Sequence, residues 1–482
     1  MTDIVFLTLP KVDLRAPLIG PNVLKSVCKL HGYTAKTVDL NVKLFTETDF
    51  ADYTKWWLRS DLVFTDNQRM KQAWNDCLEK ISYGWVEELK DLNPKFIGVT
   101  LLGSWSLPFA RIFLPFVKQH MPDVKIVVGG PGAEHYSKIN NKFDHIYAYV
   151  EAEGERTIID IIEGRLDAPG VNGNPPEQIQ DLNNIPFADY SDVDFSKYSS
   201  NWYTPNATSD GCDWLPITGS RGCIKKCTFC NVPLLWKKYI YKSGNRLADE
   251  LEYYHKTTGI NNFIFTDSLL NGNIEQLEQM VDGIIAKDID IKWEGQWIAR
   301  GEKVMSQSLW KKLSKAGLKK INVGIESGSA KVRNDMKKGV REEDILYTFQ
   351  QCSKNNIEMV PLIIIGYPTE GEKEFQEQLD FLHRYKDYSH TVPFVSIGKT
   401  MGINPDTPVY NHFEGEWHSG HNWKYEDNDF KTRIERWFKY RDVAIELGWR
   451  LPPGMDVNPY LVEQYKKITG IDLNKKYKEN TY

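Results

Sequence analysis

Twice along this 482-residue chain, short apolar runs alternate with helix-patterned segments, the pattern of parallel strands joined by crossover helices. The first pass has runs at Ile4–Leu9, Ala35–Leu40, Phe96–Leu102, Val124–Val128 and Ile146–Val150, with helical patterns over Pro17–Leu30 and Leu107–His120. Between about 46 and 92, apolar positions at helical spacing include Trp56, Trp57, Trp74 and Trp85, which read as the core of inserted helices. The alternation restarts with Leu215–Gly219, Asn262–Thr266, Ile291–Ile298, Lys320–Ile325, Met359–Ile365 and Val392–Ile397. A stretch rich in Pro, Asn, Asp and Ser separates the passes, and after residue 400 the pattern stops. The expectation is an α/β chain with four parts. A Rossmann-like doubly wound parallel sheet covers 1–165, a linker 166–210, a six-unit (β/α) partial barrel 211–400 and a mainly helical C-terminal cap 401–482.

Both architectures bind ligands beyond the carboxyl ends of their strands. The first strand of the barrel leads into Ser220-Arg-Gly-Cys-Ile-Lys-Lys-Cys-Thr-Phe-Cys230, which holds Cys223, Cys227 and Cys230 at a C-x3-C-x2-C spacing. Thiolates select zinc, copper(I) or iron–sulfur centres. Iron–sulfur clusters normally take four cysteines, so three leave one coordination position open. The competing readings are a zinc site that borrows a histidine and three inert core cysteines. The polar neighbours Lys225, Lys226 and Thr228 argue against the second.

The spacing, Phe229 between the last two cysteines and the preceding Arg221-Gly222 resemble the cluster loop of the radical S-adenosylmethionine (radical SAM) enzymes. That resemblance implies a 4Fe-4S cluster whose fourth iron is chelated by S-adenosylmethionine, and reductive cleavage to a 5′-deoxyadenosyl radical. The remaining barrel ends suit the same cofactor: Thr266-Asp267-Ser268, Trp297-Ile-Ala-Arg300, Gly324-Ile-Glu326-Ser327-Gly328 and Ser396-Ile397. Carboxylates and hydroxyls can take its ammonium and ribose diol, and Arg300 its carboxylate. By resemblance Asp267 and Ser268 fall where the family holds the methionine amino group, Glu326 and Ser327 on its Gly-x-Glu-Ser-Gly-Ser turn, and Phe229 and Ile397 against adenine. The structural alternative is a plain salt bridge between Glu326 and Arg300 at the barrel rim.

The first domain resembles the cobalamin-binding domain that precedes many radical SAM cores. Its strand ends carry Leu9-Pro10, Thr100-Leu-Leu-Gly103, Gly129-Gly-Pro-Gly132 and Glu151-Ala-Glu-Gly-Glu155. Pro10, Thr100, Leu102, Gly103, Gly129, Gly130 and Glu153 are the cobalamin candidates this resemblance implies; the glycines are equally explained as turns. After the first strand, Asp13-Leu-Arg-Ala-Pro-Leu18 stands where cobalamin-dependent methionine synthases and mutases carry an Asp-x-His-x-x-Gly loop. No histidine is available there, so a bound cobalamin would have water or nothing as its lower ligand.

The formal charge of −5, from 60 basic and 65 acidic residues, gives no electrostatic reason to expect nucleic acid or an anionic membrane. Seven cysteines, three of them clustered, point to a reducing, cytoplasmic setting. No apolar run approaches a spanning helix and the N-terminus lacks a signal-peptide pattern. His412, His418 and His421 lack the spacing of a metal site. The expected activity is a radical SAM enzyme that, with cobalamin, methylates an unactivated carbon of a small-molecule or peptide substrate. Its electron would come from a donor such as flavodoxin or ferredoxin. The rivals are a cobalamin-containing radical enzyme that cyclises, rearranges or oxidises a ring, and a non-catalytic protein that binds an iron–sulfur cluster or cobalamin.

Overall fold

The computed structural model describes residues 2–47, 63–103, 105–132, 145–151, 153–201, 208–392, 394–398, 400–404, 406–413, 416–417, 420–451 and 458–473. Trp56, Trp57 and His418 lie outside them. The chain divides into two compact units, Met1–Ile217 with Tyr253–Asn262, and Thr218–Glu252 with Phe263–Tyr482.

In the first unit β1 (Thr2–Thr8), β2 (Ala35–Asp39), β3 (Pro94–Thr100), β4 (Lys125–Gly129) and β5 (Ala148–Tyr149) form one sheet in the order β2-β1-β3-β4-β5. Every pairing is parallel. Helices cover such a sheet on both faces, which is why β1 reads as a continuous apolar run and is almost wholly buried. The register sets Asp39, Thr8, Thr100 and Gly129 in one row at the carboxyl edge. The inserted region is helical at Asn67–Ala73 and Glu79–Leu92, with a π-helical turn at Trp74–Leu78 between them. Trp74 and Trp85 join Phe109 and Phe113 in the core, and the Trp85 indole donates to Glu47 Oε2 at 2.8 Å.

Beyond this sheet come β6 (Trp214–Ile217), the short β7 (Ser220–Arg221) and β8 (Ile240–Tyr241), β9 (Asn262–Phe265), β10 (Lys292–Trp297), β11 (Leu318–Glu326), β12 (Glu358–Ile363) and β13 (Ser396–Ile397). Six of them make a sheet in the order β13-β12-β11-β10-β9-β6, each strand beside its predecessor, as successive right-handed βα units require. This is the expected partial barrel. Its strands match the six apolar runs to within a few residues, and β10 to β13 pair in parallel. The C-terminal region is mainly helical, with helices Pro408–His412, Phe430–Glu446 and Pro459–Thr469 and one two-stranded ribbon. Trp437 is fully buried and donates to Gly398 O at 2.7 Å. The His421 ring packs on Phe430 and Tyr460, and that of His412 on Phe413.

Candidate active site

β7 and β8 pair antiparallel, Ser220 with Tyr241 and Arg221 with Ile240, so residues 222–239 leave the barrel and return as a closed excursion. Asp267, just past β9, fixes its base by accepting the Gly219 N–H at 2.9 Å and the Ser220 hydroxyl at 2.5 Å. Burial pushes Asp267 up to about 6, against the pull of those two bonds. Thr228 fixes the middle. Its N–H donates to Met336 O at 3.0 Å, its carbonyl accepts from Val409 N–H at 2.9 Å, and its hydroxyl shares a 2.8 Å bond with the Tyr367 hydroxyl. Between these anchors Cys223, Cys227 and Cys230 line one cavity of about 190 Å³, together with Phe229, Ser268, Gln296, Glu326 and Lys338.

The donors around the sulfurs suit thiolate ligands. Lys225 N–H points at Cys223 Sγ and Val232 N–H at Cys230 Sγ, both at 3.4 Å, the outer-shell support that tunes a ligated thiolate. Burial pushes Cys227 up to about 11 and raises Cys230, opposed by the Lys338 ammonium at both; coordination to a metal reverses such a shift outright.

Glu326 ends β11, where the register with β12 shifts and the backbone turns to φ +70°, a left-handed conformation that non-glycine residues adopt at a cost. Its carboxylate accepts from Lys338 Nζ at 2.6 Å, and both residues are buried. Gly324 makes room for the pair, since a Cβ there would stand 2.5 Å from both charged groups. Burial pulls the Lys338 pKa down, but the Glu326 carboxylate and the Cys227 thiol outweigh it and hold it above the ordinary value. The ion-pair partner of Glu326 is therefore Lys338, not the Arg300 that the sequence offered.

The candidate S-adenosylmethionine residues fall into three groups. Phe229, Ser268 and Glu326 line the cluster cavity. Arg300 lines a neighbouring cavity of about 500 Å³, which shares Lys225 and Ile298 with the first. Its Nη2 donates to Gly272 O at 3.4 Å, its Nε is buried without a partner, and burial lowers its pKa. Asp267, Ser327 and Ile397 stand behind the lining. The Ser327 hydroxyl donates to Gln378 Oε1 at 3.0 Å, and Ile397 pairs with Ile363, which pairs in turn with Glu326. Sequence reasoning missed Lys338, Gln296 and Lys225 as lining residues. The first sits in Met336-Lys-Lys-Gly339, which reads as solvated charge; positive φ at Lys337 and Gly339 turns it back over Glu326.

At the carboxyl edge of the first sheet, Leu102 and Trp105 are exposed by 44% and 62%, large values for apolar side chains on a strand-end loop. Thr100, Gly103 and Gly129 are half-exposed and Gly130 is exposed. A Cβ on Gly130, at φ +92°, would lie 2.6 Å from Leu101 O, so packing between the loops already requires that glycine. Pro10 is buried, and the buried Glu153 carboxylate accepts from Ile179 N–H. Asp13 pairs with Arg15 at 2.7 Å, and Leu14 is wholly buried.

The sequence of residues 217–382 matches the Radical SAM superfamily. A methyltransferase of uncharacterised role, PH0819 of Pyrococcus horikoshii, is 23% identical over 327 residues, covering 64% of this chain and 68% of that one. Two further curated relatives are matched over 55% and 59% of their own length. Among solved structures, the radical S-adenosylmethionine methyltransferase TsrM of Kitasatospora setae, with cobalamin and a [4Fe-4S] cluster bound, superposes with TM-score 0.59 at 17% identity, over 85% of this chain and 77% of that one. The cobalamin-dependent S-adenosylmethionine radical enzyme OxsB, with aqua-cobalamin bound, gives 0.65 at 16% identity, over 99% and 70%. Among the described residues no helix is long and apolar enough to cross a membrane. With the three-cysteine loop at the mouth of a partial barrel and the superfamily match across that barrel, residues 217–382 form a radical SAM domain, whose cofactors are a 4Fe-4S cluster and S-adenosylmethionine.

Proposed function

We propose that this enzyme is cobalamin-dependent and transfers a methyl group to an unactivated carbon of a small-molecule or peptide substrate. The observation that carries the reading is the joining in one chain of a three-cysteine barrel and a five-stranded sheet whose β3 loop exposes Leu102 and Trp105. An exposed apolar strand end of this kind suits a large flat ligand. The fold likeness to two proteins described with cobalamin supports it.

When bound, the cluster supplies the electron that splits S-adenosylmethionine and cobalamin supplies the methyl carrier. Cys223, Cys227 and Cys230 hold three irons. Phe229 bounds the adenine with Ile397 behind it, Ser268 serves the amino group while Asp267 holds the base of the loop, and Arg300 takes the carboxylate. Glu326 and Ser327 set the turn that places Lys338. On the first sheet Thr100, Leu102, Gly103, Gly129 and Gly130 form the cobalamin face, with Pro10 and Glu153 supporting its loops. The functional parts divide as 1–165, 166–210, 211–400 and 401–482. A cytoplasmic setting fits seven cysteines that are all free, and the electron comes from a carrier such as flavodoxin or ferredoxin.

The test is anaerobic reconstitution with iron, sulfide and cobalamin, then turnover with dithionite and methyl-labelled S-adenosylmethionine. The expected results are retained cobalamin, 5′-deoxyadenosine and label in the product. Failure to bind cobalamin overturns the methyl-transfer reading. Formation of 5′-deoxyadenosine with an unlabelled product assigns a ring-forming or oxidising radical reaction instead.

A further inference from the structure

Residues 214–248 contain seven Lys and Arg and not one Asp or Glu, in a chain whose formal charge is −5. Some of these cations have internal partners: Lys242 pairs with Glu250 at 2.6 Å, Lys225 donates to Gly339 O at 3.2 Å, and Arg221 lies over the Trp236 ring. Lys226, Lys237 and Lys238 are exposed. On the same excursion Ile224, Leu234 and Leu235 are exposed by 42%, 46% and 54%, three large aliphatic side chains presented to solvent within 12 residues. Exposed aliphatics rimmed by charge of one sign mark an interaction surface.

We infer that the outer face of residues 222–239 is the docking surface for a small acidic electron-carrier protein. The inference rests on the radical SAM reading, because the cluster must receive an electron before each cleavage. The three cysteines belong to this excursion, so a carrier seated on it stands over the group it reduces. The lysines complement an acidic carrier, and complementary charge raises the encounter rate without demanding a large interface. Such complexes are small and short-lived, matching three aliphatics and a few cations. One electron leaves the carrier and one enters the cluster; no bond forms or breaks at the interface.

The experiment compares 5′-deoxyadenosine formation driven by reduced flavodoxin, regenerated with its reductase and NADPH, with formation driven by dithionite. Lys237→Glu and Leu235→Ser are expected to slow the flavodoxin-driven rate about tenfold at low ionic strength and to leave the dithionite-driven rate unchanged. Added salt should narrow the gap for Lys237→Glu, and Lys373→Glu, on the helix Glu372–Tyr385, should behave as wild type. Equal rates for all variants with flavodoxin overturn the assignment, as does an equal loss with both reductants. Absence of 5′-deoxyadenosine from the wild type with dithionite would instead count against the radical reading itself.

Discussion

Lys338→Met isolates the Glu326–Lys338 pair beside the cysteines. Each residue is only 9% exposed and the contact is 2.6 Å, so Met removes the ammonium while keeping most of its stem. A carboxylate left buried without its partner costs about 3 kcal/mol, a fall of roughly two decades in the folded-to-unfolded ratio. Glu326→Gln strands the ammonium and is expected to cost a similar amount. The double variant strands neither charge, and replacing a whole buried pair is close to neutral. It is therefore expected within about 1 kcal/mol of wild type, which leaves a coupling energy of about 5 to 6 kcal/mol between the sites. Urea unfolding of the metal-free protein measures all four corners of the cycle, with an unchanged slope showing that the unfolded ensemble is the same. Additive losses, or singles within about 0.5 kcal/mol of wild type, would show that the pair is solvated and that Gly324 is glycine for another reason.

Two further outcomes follow. Burial raises the Glu370 pKa to about 7, well above its unfolded value, so its stabilising effect is complete below about 4.5 and is lost as pH rises through 7. Glu370→Gln keeps an acceptor for the Gly366 N–H at 3.0 Å and should gain about 3 kcal/mol on wild type between pH 4.5 and 8, read from urea midpoints; a flat difference would refute the buried carboxyl. Thr228→Val removes one hydroxyl while the Tyr367 hydroxyl keeps its 3.2 Å bond to Asp335 O, so a loss of about 1 kcal/mol should come with altered absorbance of the reconstituted cluster; a wild-type spectrum would show that Thr228 does not position the loop.

The strands and the cysteine loop were legible because their signals are local. An apolar run of five to eight residues between turns, or three cysteines in eight, needs no distant residue to be recognised. Lys338 was not legible, because its burial depends on the backbone at Lys337 and Gly339 and on a glycine fourteen residues earlier. Asp267 and Ser327 show the reverse case. Residue type placed them at the mouth, yet their polar atoms meet Gly219, Ser220 and Gln378, so their direct effect is on the shape of the loops around the cavity. Strand position is readable from sequence; the direction of a short polar side chain at a strand end depends on neighbours that only the fold supplies.

The C-terminal region shows what that distinction means for function. By elimination it was a cap over the mouth, a separate piece that shapes a pocket. Its bonds make it part of the cysteine loop's own scaffold. Val409 N–H reaches the Thr228 carbonyl between Cys227 and Cys230, and Asn428 Nδ2 donates to Tyr367 O at 2.8 Å while the Tyr367 ring carries the Thr228 hydroxyl. Arg433 locks this corner. It is wholly buried, lies 3.6 Å over Trp423 and donates to the carbonyls of His421, Trp423 and Asn428, and burial pulls its pKa down to about 9. An arginine so placed is tolerated because both terminal nitrogens are bonded, even though its Nε is buried without a partner, so the corner holds as a unit. Disturbance of the cap is thereby transmitted to the arm of the loop that bears two of the three cysteines.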